Sequence, residues 1–428
     1  MYIAPATNIS GELSFPGDKS ISHRLVLLSL LNRGQIEITG ISDCADVRSS
    51  LSAVKQLGIR VTQKGGVTLL QNNSTLARQG HFNIDCGNSG TTARLLAGIL
   101  AGQPGFYRLF GDESLSRRPM RRIVEPLNAM NANISAGPND SLPLEISGSR
   151  SLRAAKLSNP TGSAQVKSAI MLAALQSFGE TTISEQISGR DHSERLFSRL
   201  NLPIKIDSQG VSIKGPADLS GNHSFSVPGD ISSAAFFAVA ASIIPGSSLL
   251  LKNVLLNPTR TGFIEVLRRM GANIVTLLTS ETWEPYGNIS VTSADLRATA
   301  IEADEVPFLI DELPALAVAM AFSKGKSRVT GAGELRHKET DRIRDLVSQL
   351  KLAGIKCNEL IDGFEIEGGS CISRQANLDS CGDHRLAMSF AIMALGSKSG
   401  LEIKNSDCIA VSLPKFFTML HKCTGQKN

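Results

Sequence analysis

PGDKSISHRLVLLSLL, residues 16–31, returns in outline as PGDISSAAFFAVAA at residues 228–241. In both, a Pro-Gly-Asp corner opens a run so apolar that, as a helix, it has no polar face and must be buried on every side. Four further segments share the outline: GNSGTTARLLAGIL from Gly87, TGSAQVKSAIMLAAL from Thr161, LIDELPALAVAMAF from Leu309 and CGDHRLAMSFAIMAL from Cys381. The starts of the six lie 71, 74, 67, 81 and 72 residues apart. Spacing this even marks an internal repeat.

Each apolar run is followed by a short alternating stretch, QIEITG, FYRLFG, ETTISE, SSLLLKN, SRVTG and LEIKN, which has the period-two signature of a strand. A second, amphipathic helical pattern comes next, as in ADVRSSLSAVKQLGI and RTGFIEVLRRMGANI. The repeat is therefore strand, helix, strand, helix and further strands, an α/β unit whose first helix is covered by sheet. Because the Pro-Gly-Asp corner recurs at the fourth unit, the spacing predicts two similar globules of three units with a junction near Val227. A cleft between them would be the natural ligand site.

The totals agree with two domains: 428 residues are long for a single core, and 42% are hydrophobic. Lys plus Arg number 44 against 39 acids, a formal charge of only +5, unlike a nucleic-acid binder with a basic domain. No run of 18 apolar residues occurs and Met1 to Ser10 has no signal-peptide pattern, so no membrane association and a cytoplasmic protein are expected. Seven cysteines (44, 86, 357, 371, 381, 408 and 423) include no CxxC pair, which argues against a disulfide framework and against a metal site. A phosphate-cradling P-loop is excluded as well. That motif joins Gly directly to Lys, whereas Asp18 separates Gly17 from Lys19.

The polar residues gather at the starts of the apolar helices. A helix start offers unpaired N–H groups and about half a positive charge, so it attracts phosphate or carboxylate. Asp18, Ser20, Asn88, Ser163 and Asp230 could equally be N-caps that satisfy those groups, and Asp311 and Glu312 could be acids favoured by the dipole. Lys19, Arg24 and Arg94 oppose the dipole and need another reason, such as an anion. In LRHKETDRIRD, Lys338 and Arg342 would share a helix face, with Glu339 between them as proton carrier or partner; a solvated charge run is the alternative. SLSRRPMRR, Ser114–Arg122, concentrates four arginines, the residue whose planar fork clamps phosphate and carboxylate, with Pro119 suited to a first helical turn. GDHRLAM repeats the theme with His384 and Arg385, and His23 and His384 read as equivalent places in two units.

PGDKSISHR, GNSGTTARLLAG, SLSRRPM, SAQVKSA, PGDISSAAF, IDELP, KETDR and GDHR together, in this order over the whole chain, resemble the 5-enolpyruvylshikimate-3-phosphate (EPSP) synthase family. The resemblance implies the inside-out α/β enolpyruvyl transferase fold: two domains, each of three βαβαββ units with buried helices and outer sheets. It divides the chain as 1–17 with 228–428, and 18–227, with the active site in the cleft between. It further implies transfer of the enolpyruvyl group of phosphoenolpyruvate to the 5-hydroxyl of shikimate 3-phosphate, with release of phosphate, in the shikimate pathway of aromatic amino-acid biosynthesis. No cofactor, no metal and no nucleic acid take part, and the family default is a cytoplasmic monomer.

Matching motif positions assigns phosphoenolpyruvate to Lys19, Gly90, Thr91, Arg118, Gln165, Arg342 and Arg385. Shikimate 3-phosphate is assigned to Ser20, Arg24, Ser163, Ala164, Gln165, Arg190, Asp311 and Lys338. Asp311 would accept the 5-hydroxyl proton, and Lys19 with Glu339 would handle protons at C3 of phosphoenolpyruvate. Three positions depart from the enterobacterial pattern: Val411 stands for a lysine, Ala164 for a second serine, and Arg190 lies in the differently spelled GRDHSE. A transferase acting on UDP-N-acetylglucosamine shares the fold but carries a reactive cysteine where FGDESLSRRPM has none. A non-catalytic anion- or RNA-binding protein on the same scaffold is the third reading.

Overall fold

The apolar runs fold as helices, and their own corner residues start most of them. A computed structural model describes residues 1–72, 80–187, 189–369, 372 and 376–425, so Cys371 lies outside the described residues. The chain separates into two units, Gly17–Val227 and Met1–Pro16 with Pro228–Asn428. The first holds inner helices α1 (Lys19–Leu28), α2 (Gly90–Ala101) and α3 (Ala164–Ala174). The second holds α4 (Ile231–Ile243), α5 (Leu313–Phe322) and α6 (His384–Gly396).

Side-chain oxygens of Asp18, Ser89, Asp230 and Asp383 accept from backbone N–H groups of the first turns of α1, α2, α4 and α6. This satisfies donors that a buried helix could not give to water. Every residue from Ile231 to Ser242 in α4, Leu313 to Ala321 in α5 and His384 to Leu395 in α6 is buried. That is what an all-round apolar helix requires.

In Gly17–Val227 the helices are covered by three four-stranded sheets of one design. His81–Asp85 runs parallel to Gly105–Phe110, which pairs antiparallel with Leu144–Gly148, itself antiparallel to Ile134–Ala136. The parallel pair flanks α2 as a βαβ crossover. Burial alternates along Gly105–Phe110 and Val67–Asn72, so each sheet turns one face to the helices and one to solvent. Arg33–Thr39 takes its parallel partner from Ser220–Ser226, not from the strand that precedes α1 in sequence. That strand, Ser10–Ser14, lies parallel to Ser248–Leu255 in the other unit. In the sixth repeat Leu401–Lys404 pairs with Asn377–Asp379 in parallel and with Tyr2–Ile3 antiparallel.

Helices α2 and α3 touch backbone to backbone at Gly98, where a Cβ would stand 2.1 Å from the carbonyl oxygen of Ala169. Only an absent side chain permits this crossing. Gly98→Ala is expected to cost about 1–3 kcal/mol, as overpacking a well-filled interior does. Urea unfolding at pH 7 checks it, and an unchanged midpoint would show that the helices can part without cost.

Among the described residues no helix is long and apolar enough to cross a membrane, and no group of three or more His, Cys, Asp or Glu could hold a metal ion.

Candidate active site

In Gly17–Val227 the candidate residues fall into neighbouring clusters. Lys19, the first residue of α1, places its ammonium 2.9 Å from Asp46 Oδ2, both side chains being largely but not wholly covered. Arg24, one turn later, is buried. It donates through Nε to Ser193 Oγ (2.8 Å), through Nη2 to Ser168 Oγ (2.7 Å) and through Nη1 to the carbonyl of Ser20 (2.9 Å). Ser168 also donates to the carbonyl of Ala164 at 2.6 Å, which ties Arg24 to the start of α3. Ser163 occupies the N-cap position of α3 but makes no capping bond, so its hydroxyl has no local task there.

Gln165 bridges two helices: it accepts from Arg94 Nη1 at 2.5 Å and donates to Thr91 Oγ1 at 2.9 Å. Gly90 and Thr91 open α2, and Asn88, just before it, accepts from Arg118 Nη2 at 2.6 Å. Arg190 is half-buried, immediately ahead of the helix His192–Arg199.

In the other unit one carboxylate is ringed by three cations. Asp311 Oδ1 lies 3.8 Å from Lys338 Nζ and 3.8 Å from Arg342 Nη1, and Oδ2 lies 3.7 Å from Arg385 Nη2. Arg385 also donates to the Asp311 carbonyl at 2.8 Å. Arg342 is fully buried, held from behind by Asp383 through Nε at 2.6 Å and paired with Glu339 through Nη2. Burial works against its charge, but Asp383, Glu339 and Asp311 outweigh that and push its pKa above even the ordinary arginine value. The site therefore keeps its guanidinium ionised although it is withdrawn from water.

Several expectations need correction. Lys338 and Arg342 do not share a helix face: Lys338 follows the 3-10 turn Gly333–His337, and the helix begins at Arg342. A common partner, Asp311, brings the two cations together. Pro119 is not in a first helical turn, since the helix runs Arg121–Ala129 after the short Glu113–Ser116. Nor do the arginines of Ser114–Arg122 form one clamp. Arg117 and Arg121 make exposed pairs with Glu113 and Glu125, while Arg118 turns inward. His23 is the fifth residue of α1 and His384 the first of α6, so His384 corresponds to Lys19 rather than to His23. Of the proposed caps, Asp18 and Asp230 serve, while Ser20 lies inside α1 and Asn88 holds Arg118. Glu312 stands at the N-cap position of α5 without a side-chain capping bond and accepts instead from the buried Ser232.

Asp46, Ser168, Ser193 and Asp383 contact the candidate residues without having been assigned a role from the motifs. Asp383 had the clearest signal: it stands in the Gly-Asp corner where Asp18 and Asp230 cap, and its second oxygen is what grips Arg342.

His23 is buried, with Nδ1 2.8 Å from Ser50 Oγ, and burial holds its pKa down from 6.5 to about 3. Asp46 and Asp18 pull it upward and Lys19 and Arg24 downward, each by less than burial does. Unfolded chains take up this proton below about pH 6.5 and the folded chain does not, so protons favour unfolding. Stability is expected to fall as the pH drops from 6.5 toward 3, by up to about 1.4 kcal/mol per pH unit from this group. In His23→Gln the fall between pH 6.5 and 4.5 should be shallower; an identical slope in urea titrations would remove His23 as its source.

The family model for EPSP synthase (3-phosphoshikimate 1-carboxyvinyltransferase) matches residues 3–420. A 3-phosphoshikimate 1-carboxyvinyltransferase of Syntrophomonas wolfei is 44% identical over 422 residues, 97% of this chain and 98% of that protein. One of Coxiella burnetii is 43% identical over 422 residues, 98% of this chain and 95% of that protein. Among solved structures, EPSP synthase from Acinetobacter baumannii superposes with a TM-score of 0.84 at 36% identity, covering 99% of this chain and 97% of that one. The enolpyruvyl transferase NikO from Streptomyces tendae, at 14% identity and a TM-score of 0.77 over 98% of this chain and 96% of its own, shares the fold. With its repeats, its buried helices and nearly its full length accounted for by these relatives, the chain belongs to the EPSP synthase (3-phosphoshikimate 1-carboxyvinyltransferase) family.

Proposed function

We propose that this enzyme transfers the enolpyruvyl group of phosphoenolpyruvate to the 5-hydroxyl of shikimate 3-phosphate. The observation that carries the reading is Asp311, a carboxylate held among Lys338, Arg342 and Arg385. A base that must work beside two anionic substrates needs cations around it to tolerate them, and those cations are also the groups that would bind phosphate and carboxylate.

In the proposed reaction Asp311 takes the proton of the 5-hydroxyl as its oxygen attacks C2 of phosphoenolpyruvate, while C3 gains a proton delivered by Lys19 or Glu339. The product of this addition is a tetrahedral intermediate. Loss of phosphate from C2 and of a proton from C3 then restores the double bond, so no oxidant, metal or cofactor is required. Arg118, Arg342 and Arg385, with Gln165 and the α2 start at Gly90 and Thr91, bind phosphoenolpyruvate. Ser20, Arg24, Ser163, Ala164, Gln165, Arg190 and Lys338 bind shikimate 3-phosphate. The protein works as a monomer in the cytoplasm, its oligomeric state being open to light scattering.

Phosphate release with both substrates is the test, with the enolpyruvyl ether identified by NMR. Release with UDP-N-acetylglucosamine in place of shikimate 3-phosphate would favour the other transferase, and the absence of a cysteine in Phe110–Met120 speaks against it. Anion binding without turnover would mark a non-catalytic member.

A further inference from the structure

Beneath the start of α3 lies a charged group that the reaction does not use. Lys167 Nζ is 2.7 Å from Glu185 Oε2 and 2.5 Å from Glu194 Oε1, with all three side chains at most 8% exposed. The other Glu185 oxygen accepts from Asn159 Nδ2 at 2.7 Å, and the same amide nitrogen lies 3.2 Å from the carbonyl of Ser163. The other Glu194 oxygen is buried without a hydrogen-bond partner. Burying two carboxylates against one ammonium is expensive, and a core that needed only packing would be at least as stable with apolar residues of similar volume. The return must be geometric.

What the group connects indicates the geometry it serves. Ser193, adjacent to Glu194, receives Arg24 Nε and shares a 2.7 Å hydrogen bond with Ser168, itself an acceptor for Arg24. Gly189, next to Arg190, passes so close to the Ser163 loop that a Cβ on it would stand 2.3 Å from the Gly162 carbonyl oxygen. Lys167 thus joins α3, the segment after the strand Gly179–Ser184, and the helix His192–Arg199.

We propose that Lys167, clamped between Glu185 and Glu194, is a positioning residue for shikimate 3-phosphate, holding Ser163, Arg24 and Arg190 at fixed separations beneath the substrate's phosphate. The inference rests on the functional reading above. It requires that loosening the clamp weaken one substrate and spare the other, a split that a merely stabilising ion pair would not produce.

Lys167→Met leaves two buried carboxylates facing each other without a cation, a change that costs folding, so Glu185→Gln is the primary variant and Glu194→Gln the second. Both keep volume and leave Lys167 one carboxylate. Binding of shikimate 3-phosphate to wild type is measured first by calorimetry, because its absence would sink the functional reading rather than the clamp. With that binding established, Glu185→Gln is expected to raise the Kd and KM for shikimate 3-phosphate about tenfold, the loss of one well-placed charged hydrogen bond. The KM for phosphoenolpyruvate at saturating shikimate 3-phosphate should change less than about twofold, a margin well below one lost hydrogen bond. Unchanged affinity in both folded variants, or an equal loss for both substrates, overturns the proposal.

Discussion

Asp311→Asn is expected to yield a folded chain whose turnover is lowered about 10²–10⁴-fold, the usual worth of a positioned proton acceptor. Asparagine keeps the shape and can still face Lys338, Arg342 and Arg385, the three cations within 3.8 Å. It cannot take a proton from the 5-hydroxyl. Removing the negative charge also leaves the three cations less neutralised, so the KM for phosphoenolpyruvate should hold or fall while kcat collapses. That combination separates a lost base from a damaged binding site, because a damaged site would raise KM. Some loss of stability is expected, because Asp311 helps to offset the burial of the Arg342 charge, so urea unfolding is used to confirm that the variant is folded under assay conditions. A folded Asp311→Asn enzyme with near-normal kcat would remove Asp311 from the chemistry.

The second large effect is expected for Lys19→Met, again about 10²–10⁴-fold in kcat if the ammonium delivers or removes the C3 proton. Met preserves the unbranched stem, so α1 and its Asp18 cap are retained. In deuterated water the wild-type enzyme should place deuterium at C3 of the enolpyruvyl group, because the intermediate's methyl carbon gains a solvent-derived proton and then loses one. Lys19→Met should slow this labelling in step with product formation. Glu339→Gln serves as the companion: if labelling persists in Lys19→Met and stops in Glu339→Gln, the proton belongs to Glu339. Asp46→Asn should weaken turnover less than Lys19→Met, since Asp46 orients the ammonium without replacing it. Labelling and turnover at wild-type rates in Lys19→Met would refute its role.

Helix starts explain why some of the local contacts around the candidate residues are legible in the sequence and why others are not. Asp18, Asp230 and Asp383 are caps whose donors, backbone N–H groups, lie two or three residues ahead, a relation within one turn that neighbouring residues settle alone. Lys338 shows the opposite case. Its spacing from Arg342 suits a helix, but Lys338 lies in a bend between the 3-10 turn Gly333–His337 and the helix that begins at Arg342, and the two cations meet only because both face Asp311. Asp46 carries no motif signal, and Ser193, although inside GRDHSE, carries none that separates it from the other polar residues there. Their importance comes from the partners to which the fold delivers them, Lys19 and Arg24.

The amino-acid order by itself determined the six repeats, the burial of their apolar helices, the alternating strands behind them and the capping by Asp18 and Asp230. These are relations between residues a few positions apart, and their free energy is decided by those residues and water. Only the tertiary structure decided that Ser10–Ser14 joins Ser248–Leu255 while Ser220–Ser226 joins Arg33–Thr39. It also decided that Arg24 meets serines 144 and 169 residues away, and that three cations surround Asp311. Any of several similar strands satisfies the same backbone pairing pattern, so local preference cannot choose among them. The choice falls to close packing of whole layers, where a single crossing such as Gly98 against Ala169 fits in one arrangement and clashes in the others.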